Sequence, residues 1–341
     1  MQTGCKTDLD GLSLPSALSP APGKVDFLVV GTPRSGTTLV QRLACEVPGV
    51  VTPPETHFFP GVMGELVQPS AFPLAGAELR RVLDAYVALG PNAGLGLDVS
   101  AVMQALGGRC QSPVQLFNAV VVQLTGGGEV IGEKTPSHIR WWRPLSQADP
   151  TLRFIVVSRD PRAVVSSNLG APWSEESWAR EWGEDKYLFF AFRWQYEDLL
   201  ARRLARQLGP RVLALRYEDV VAAPDRARWR IARFLGRPAN SAAPGRAPES
   251  IVMPWESWKH RALGPIGDRS SRWREAGHLT SAMAEDVAAV CWLGMARHHY
   301  RLDPPWVTAR ALARLSRRAR TLRRLRGIEI DWQRRIEGAG L

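Results

Sequence analysis

The 341-residue sequence lacks the features that define several classes of protein. Its few cysteines are far apart and form no C-x-x-C pair: Cys5, Cys45, Cys110 and Cys291. Neither a disulfide framework nor a zinc site is therefore expected. No run of about 18 apolar residues occurs, so no membrane span is predicted. Three prolines interrupt the first 23 residues, so no secretory signal is expected either. We predict a cytoplasmic protein with reduced thiols.

Acidic residues are missing from residues 310–326, which contain eight arginines. The formal net charge of the whole chain is +11, so most of the basicity belongs to this stretch. Leucines and one alanine between Leu312 and Leu325 recur at steps of three and four. We predict one basic amphipathic helix, residues 306–341, with its leucines packed on the core. An acidic partner or an anionic surface is the alternative for the arginine face. No recognised motif supports nucleic acid.

Short apolar segments alternate with helical patterns, which predicts a single α/β domain. Parallel strands are expected near residues 25–30, 130–134, 153–158 and 212–215. The pattern is typical of a three-layer, P-loop-like fold in which helices flank a central parallel sheet. The predicted organisation is a flexible N-terminal segment at 1–23, a main domain at 24–305, and the C-terminal helix at 306–341.

The segment Gly31–Thr38 reads GTPRSGTT and directly follows an apolar run. It keeps the glycine spacing of a Walker A loop, but Thr37 stands where the Walker lysine belongs. The cation lies inside the loop instead, at Arg34. Backbone N–H groups around Gly36, at the start of the next predicted helix, suit a phosphate. The segment therefore predicts binding of a nucleotide phosphate without triphosphate chemistry.

A second basic element, residues 153–168, reads RFIVVSRDPRAVVSSN. Arg159 follows a predicted strand at its carboxyl end, where open parallel sheets bind ligands. Asp160 and Pro161 are typical of a helix start. Ser167 lies on that helix, eight residues after Arg159. The pattern places an arginine and a hydroxyl near the same sheet edge.

Together these elements resemble the sulfotransferases that use 3′-phosphoadenosine 5′-phosphosulfate (PAPS). Pro33–Thr38 matches their 5′-phosphate loop, P-K/R-S-G-T-T, and Arg159 with Ser167 matches their 3′-phosphate pair. The segment 216–219, RYED, resembles their Y-E-D element, whose tyrosine lies near the adenine. The resemblance covers about residues 25–234. It implies PAPS as the donor and 3′-phosphoadenosine 5′-phosphate (PAP) as the product.

The resemblance also implies which side chains contact the donor. Small-molecule members carry a late R-K-G loop that this sequence lacks, but residues 267–273, GDRSSRW, lie in the same part of the chain. Arg269 or Arg272 is therefore expected to contact the 3′-phosphate, with a solvated turn as the alternative. The implied donor-binding set is Arg34, Ser35, Gly36, Thr37, Thr38, Arg159, Ser167, Tyr217, Arg269 and Arg272.

Two cations are implied to neutralise the leaving phosphate, so no metal is expected. One is Arg34. The other is Lys134, which lies in an E-K-T-P segment like that of glycan and bacterial sulfotransferases. Each stands next to a predicted strand end.

Two residues compete for the role of catalytic base. Glu55, within the segment PPETHFF, resembles the glutamate of the glycan and bacterial branch. Small-molecule members instead use the histidine of K-T-H. Here Pro136 takes that position and His138 comes four residues after Lys134. The displacement favours Glu55 as the base, with His138 as the alternative.

We predict a PAPS-dependent sulfotransferase that modifies a hydroxyl or an amine of a small or medium-sized acceptor, such as a natural product, sugar or lipid. An insertion at 59–128 is expected to shape the acceptor pocket. A group of tryptophans is expected to line an apolar or sugar-stacking pocket: Trp173, Trp178, Trp182, Trp194, Trp255, Trp258 and Trp273. A magnesium-dependent nucleotide kinase is one alternative. The other is a non-catalytic binding module on the same fold.

Overall fold

The computed structural model describes residues 23–176, 180–238, 251–275, 277–301 and 305–337. Its strands are β1 (Phe27–Gly31), β2 (Val50–Val51), β3 (Leu74–Ala75), β4 (Arg109–Cys110), β5 (Val130–Glu133), β6 (Arg153–Ser158) and β7 (Val212–Arg216). Five of them form a parallel sheet in the order β2–β5–β1–β6–β7, while β3 and β4 pair antiparallel. The N-terminal segment predicted at 1–23 lies outside the described residues, apart from Gly23.

The α-helices of the described chain are α1 (Thr37–Cys45), α2 (Gly76–Ala88), α3 (Val99–Ala105), α4 (Pro113–Thr125), α5 (Trp142–Ala148), α6 (Pro161–Leu169), α7 (Lys186–Leu208), α8 (Tyr217–Ala222), α9 (Pro224–Phe234), α10 (Ser257–His260), α11 (Ser281–Arg297), α12 (Pro305–Arg317) and α13 (Ala319–Glu337). Phe59–Leu66 forms a π-helical segment, and Pro136–Trp141 is 3₁₀-helical. None of the described helices combines the length and the apolar character that crossing a membrane requires.

Alternation along β1 explains why helices cover both faces of the sheet. Successive strand residues point to opposite faces. Phe27 and Val29 pack in a cluster with residues of α1, α8 and α9. Leu28 and Val30 pack in a second cluster with residues of α2 to α5 and α7. The protein is therefore an α/β, three-layer structure with a central parallel sheet, as predicted.

The four predicted strands are present, with ends within two residues of the prediction. The additional edge strand β2 was not predicted because two residues are too few to show alternation. Between β2 and β5, the insertion at 59–128 contains α2, α3, α4 and the small β3–β4 pair.

The C-terminal region departs from the prediction of one helix over 306–341. It forms two helices, α12 and α13, separated at Arg318. The Arg318 guanidinium pairs with Asp185 and donates to the Tyr187 hydroxyl at 2.8 Å, just before and at the start of α7. The interruption of the helix at Arg318 lets Leu315 on α12 and Leu325 on α13 reach one apolar cluster. A single straight helix would not bend its apolar stripe around α7 in this way.

All five parallel strands deliver candidate residues at their carboxyl ends. The phosphate-loop segment follows β1, and Glu55 lies four residues after β2. Lys134, Arg159 and Tyr217 directly follow β5, β6 and β7. Because the strands are parallel, these residues share one edge of the sheet.

Candidate active site

The loop between β1 and α1 packs its backbone tightly against its neighbours. Gly31 has φ +152°, and a Cβ there would lie 2.4 Å from the Val157 carbonyl oxygen. Gly36 has φ +94°, and its Cβ would lie 2.4 Å from the Tyr217 ring. Both positions therefore exclude a side chain. Ser35 Oγ is buried without a hydrogen-bond partner among the described residues. A polar donor group and the N terminus of α1 thus meet in this loop.

Arg159 joins three parts of the site. Its Nη1 donates to the Arg34 carbonyl at 3.2 Å, and its Nη2 donates to the Arg269 carbonyl at 2.7 Å. The guanidinium carbon lies 4.2 Å from the centre of the Tyr217 ring, within cation–π range. Its Nε is buried and has no partner among the described residues. Arg159 therefore keeps a donor free for an anion.

Arg34 and Ser167 meet beside Arg159. Arg34 Nε donates to Ser167 Oγ at 3.0 Å, and Arg34 itself has φ 75°. Burial, together with the charge of Arg159, lowers the pKa of Arg34 to about 10, against the opposing charge of Glu55. Two guanidinium groups this close repel each other unless an anion lies between them. The arrangement concentrates positive charge beside the loop, with Arg34 turned toward Ser167.

Arg34, Arg159 and Ser167 line one large cavity, and the remaining residues predicted to contact PAPS include others that line it. Tyr217 packs its ring over Gly36, and its hydroxyl lies 3.4 Å from the Gly267 carbonyl oxygen. Arg269 and Arg272 both line the cavity. Arg272 also lies 3.4 Å from Glu275 at an exposed position. Every residue of the predicted donor-binding set except the fully buried Ser35 thus lines a single cavity.

Glu55 lies at the centre of a buried charge cluster on the neighbouring part of the sheet edge. Its carboxylate pairs with the Lys134 ammonium, whose Nζ is also 3.3 Å from Thr38 Oγ1 on α1. Lys259 Nζ lies 2.8 Å from Glu55 Oε1, and His57 Nε2 lies 3.3 Å from Glu55 Oε2. Three basic groups therefore surround one carboxylate. Lys134 links it directly to the phosphate loop.

The charges in this cluster control its protonation. Burial on its own would raise the pKa of Glu55, but Lys134, Lys259 and His57 outweigh it and hold the pKa well below its usual range. Burial lowers the pKa of Lys134, against the opposing effect of Glu55. It also lowers the pKa of His57, again opposed by Glu55. The arrangement stabilises the ionised form of Glu55.

A family model described as the sulfotransferase family matches residues 26–241, which is more than half of the chain. The match spans the phosphate loop, Glu55, Lys134 and Arg159. The chain belongs to the sulfotransferase family. No curated protein matches it significantly.

Several solved sulfotransferase structures are distantly similar. The sulfotransferase domain from the curacin biosynthetic pathway is 19% identical, with a TM-score of 0.47, over 84% of this chain and 100% of that chain. The sulfotransferase domain from the Synechococcus PCC 7002 olefin synthase is 20% identical, with a TM-score of 0.44, over 84% and 100% of the two chains. A sulfotransferase from Alicyclobacillus acidocaldarius is 16% identical, with a TM-score of 0.44, over 83% and 98%. The family assignment itself rests on the family model.

His138 of this sulfotransferase lies behind the cluster rather than in the cavity wall. It is fully buried, with Nδ1 2.9 Å from Glu133 Oε2. The Phe59 N–H donates to its Nε2 at 3.4 Å. Glu133 also accepts from Thr56 and Thr135, at 2.9 and 2.6 Å. Both ring nitrogens of His138 are thus engaged in holding the segment that carries Glu55.

The cavity of the sulfotransferase has a volume of about 1100 Å³. The insertion at 59–128 contributes Pro91 to its wall, and residues 255–278 contribute much more. Of the predicted tryptophans, Trp182 and Trp194 are buried in an apolar cluster around α7 instead, and Trp178 lies outside the described residues. The tryptophans that line the cavity are Trp173, Trp255, Trp258 and Trp273.

Sequence reasoning missed three members of the charge cluster. His57 was quoted only as part of a motif, although its position two residues after Glu55 in PPETHFF was a usable signal. Its φ of 46° is uncommon for a residue with a side chain and turns it toward Glu55. Lys259 and its partner Glu256 come from a segment some 200 residues away in sequence. Nothing in that segment's local pattern indicated contact with Glu55.

Proposed function

We propose that this protein is a PAPS-dependent sulfotransferase that transfers a sulfuryl group to a hydroxyl of a small or medium-sized acceptor, with an amine as the less favoured acceptor group. One observation carries the proposal: Arg34, Arg159, Ser167 and Glu55 line a single cavity, and the buried Lys134 ammonium pairs with Glu55 behind that wall. An anion cluster alone would suit many nucleotides. The adjoining ammonium and carboxylate supply the two groups that sulfuryl transfer needs.

The donor side fits the charges of PAPS. The backbone N–H groups at the start of α1, with Ser35 Oγ, suit the 5′-phosphate. The free Nε of Arg159 and the Ser167 hydroxyl suit the 3′-phosphate, with Arg269 or Arg272 as a further contact. Tyr217 offers a ring face to the adenine. In this assignment each phosphate of PAPS meets at least one hydrogen-bonding group that the fold already orients.

The reaction moves one sulfuryl group and one proton. The acceptor oxygen attacks the sulfur, a new S–O bond forms, and the bond from sulfur to the phosphate oxygen breaks. The electron pair of that bond remains on the leaving PAP, where Lys134 and Arg34 stabilise the developing charge. The acceptor proton passes to Glu55. Positioning and charge stabilisation supply the catalysis, so the proposed reaction uses no metal.

Glu55 is the proposed base, and the two histidines have different roles. In the resting cluster, Lys134 weakens Glu55 as a base because it stabilises the carboxylate. Transfer of the Lys134 contact to the leaving oxygen restores basicity as the reaction proceeds. His57, whose Nε2 is 3.3 Å from Glu55 Oε2, orients the carboxylate. His138, with both nitrogens engaged, is proposed to position the Glu55 segment.

Binding and transfer measurements on the wild-type protein test the proposal. Calorimetry without divalent metal should detect binding of PAP and much weaker binding of AMP, because AMP lacks the 3′-phosphate. The loss of that phosphate is expected to cost roughly tenfold to a hundredfold in affinity. Radiolabelled sulfate should move from PAPS to an alcohol in the presence of a chelator. Equal affinity for PAP and AMP, or an absolute magnesium requirement, would contradict the proposal.

A further inference from the structure

Residues 255–259, with the sequence WESWK, present two different faces to the site. Trp255 and Trp258, three residues apart, line the cavity. Glu256 and Lys259, also three residues apart, are almost fully buried, border the same cavity and pair within the charge cluster. We call these residues the WESWK segment. One short stretch of chain therefore contacts both the open cavity and the proposed base.

The cavity face of the WESWK segment is an angled wall of indole rings. The Trp255 and Trp258 ring centres are 5.7 Å apart at 60°, and those of Trp258 and Trp173 are 5.7 Å apart at 82°. Arg34 lies 5.6 Å from the Trp173 ring, so the wall begins beside the phosphate loop. Trp255 is 44% exposed, which is high for a tryptophan. Indoles left open beside a reaction centre offer apolar area to a ligand.

The opposite face fixes the segment to the catalytic carboxylate. Lys259 Nζ pairs with Glu256 and lies 2.8 Å from Glu55 Oε1. Glu256 in turn accepts from the Met253 N–H at 3.1 Å. Both charged side chains are almost fully buried. Both charged side chains border the cavity, but they are paired with each other and with Glu55, so the indoles supply the apolar area of this segment.

On the basis of the proposed function, we propose that the WESWK segment is the acceptor-recognition element and that its ligand is an alcohol carried on an apolar ring system. Trp255 and Trp258 bind the rings. Lys259 is a positioning residue that keeps the wall in register with Glu55, so that the bound hydroxyl meets the base. A sugar would need hydrogen-bonding side chains beside the indoles, and the two charged side chains of this segment are already paired with each other and with Glu55.

Binding of a matched set of alcohols to the PAP-loaded protein tests the ligand class. Naphthylethanol, butanol and methyl glucoside serve as the apolar-ring, ring-free and sugar probes, with calorimetry as the readout. We expect naphthylethanol to bind at least about tenfold more tightly than either of the others. Tighter binding of methyl glucoside would overturn the apolar class and assign the wall to sugars. Equal binding of all three would overturn stacking.

Substitution of the indoles tests the location. Trp255→Ala and Trp258→Ala should each weaken naphthylethanol binding by about tenfold while leaving PAP affinity unchanged. Trp229→Ala is the matched control, because Trp229 on α9 is also 44% exposed and does not line the cavity. Equal loss in Trp255→Ala and Trp229→Ala would overturn the proposal.

Lys259 is tested by a change that removes its charge and by one that keeps it. Lys259→Met should raise KM for naphthylethanol several-fold. It should also move the acidic limb of the kcat profile to higher pH, because the Lys259 charge lowers the pKa of Glu55. Lys259→Arg should restore both. A Lys259→Met variant with an unchanged KM and pH profile would contradict the positioning role.

The outcomes separate this inference from the proposed function. If the wild-type protein fails to bind PAP, the proposed function is wrong, whatever the alcohols do. If PAP binds and PAPS supports transfer, but the indole variants keep wild-type acceptor affinity, the proposed function stands and the assignment of the WESWK segment is wrong. Thermal unfolding of each variant checks that it is folded.

Discussion

The two walls of the cavity differ in how the chain builds them. The proposed donor wall comes from short segments that directly follow β1, β6 and β7, and each carries its candidate residue within a few positions of a strand end. The acceptor wall comes mainly from residues 255–266, which contain one four-residue helix and much irregular chain. Strand ends repeat the same geometry in every α/β protein of this type. Irregular segments do not repeat a geometry. The donor wall can therefore be predicted from sequence, and the acceptor wall cannot.

The largest expected effect lies where the walls meet, at Glu55. Glu55→Gln keeps the shape but cannot take the acceptor proton, so kcat should fall by about 10²–10⁴-fold. PAP affinity should barely change. Steady-state kinetics with calorimetry on the same preparation make the measurement.

His138→Asn is the control for the base. Because His138 is fully buried and its ring nitrogens are engaged, this variant should lose roughly tenfold or less in kcat if the residue only positions the segment. A dead His138→Asn enzyme beside an active Glu55→Gln enzyme would reverse the assignment of the base.

The next effect should be confined to the donor wall. Arg159→Ala removes the proposed 3′-phosphate donor, so PAP affinity should drop by roughly tenfold to a hundredfold. AMP affinity should change much less, since AMP has no 3′-phosphate. Equal losses for PAP and AMP would show that Arg159 acts only through its backbone contacts to Arg34 and Arg269.

A smaller effect concerns pH. Burial lowers the pKa of Lys134. As pH rises, its ammonium therefore loses its proton before the pH reaches about 10.4, the usual pKa of a lysine. The proposed reaction needs the charged form, and kcat should therefore fall as pH rises through the lowered pKa. Lys134→Arg stays charged at these pH values and should move the alkaline limb upward, even at a lower kcat. An alkaline limb that does not move would assign it to another group.

The smallest effect on either wall is expected from the C-terminal helices. Leu315 is 6% exposed within an apolar cluster, so Leu315→Ala should lower the free energy of unfolding by about 2–5 kcal/mol. PAP affinity below the unfolding temperature should stay unchanged. Leu312, at 56% exposure on the same helix, is the control, and its change to Ala should cost under about 0.5 kcal/mol. Urea unfolding measures both. Loss of PAP affinity in the folded Leu315→Ala protein would show that the C-terminal helices and the PAP-binding wall are not independent.

The arginines of these helices are partly occupied by acids of the same chain. Arg314 pairs with Glu285 and Asp286, and Arg324 pairs with Glu181. This pairing and the buried leucines favour the interpretation that the apolar side chains of these helices pack on the core. The acidic-partner alternative has no support from the described contacts.

The fold and the donor wall could be predicted from sequence because both depend on local patterns. Strand alternation, the glycine spacing of the loop, and Arg159 at a strand end each show within about ten residues. The Glu55–Lys134 pair was predicted through resemblance as two separate roles, and its direct contact came from the structure. Lys259 could not be predicted, because a buried ion pair across some 200 residues leaves no periodic trace. The break at Arg318 was missed because helical spacing continues through it.

The two faces of the WESWK segment also separate what variation at each position does. The side chains at 255 and 258 are uncharged and line the cavity, so replacing them changes the size and shape of the cavity and leaves the buried charges in place. Side chains at 256 and 259 belong to one ionic network with Glu55, so changes there are coupled to one another and to the base. Randomising only the two tryptophans would thus sample new acceptors on an intact catalytic cluster. The alternation makes this segment a natural place for substrate range to diverge while the chemistry is kept.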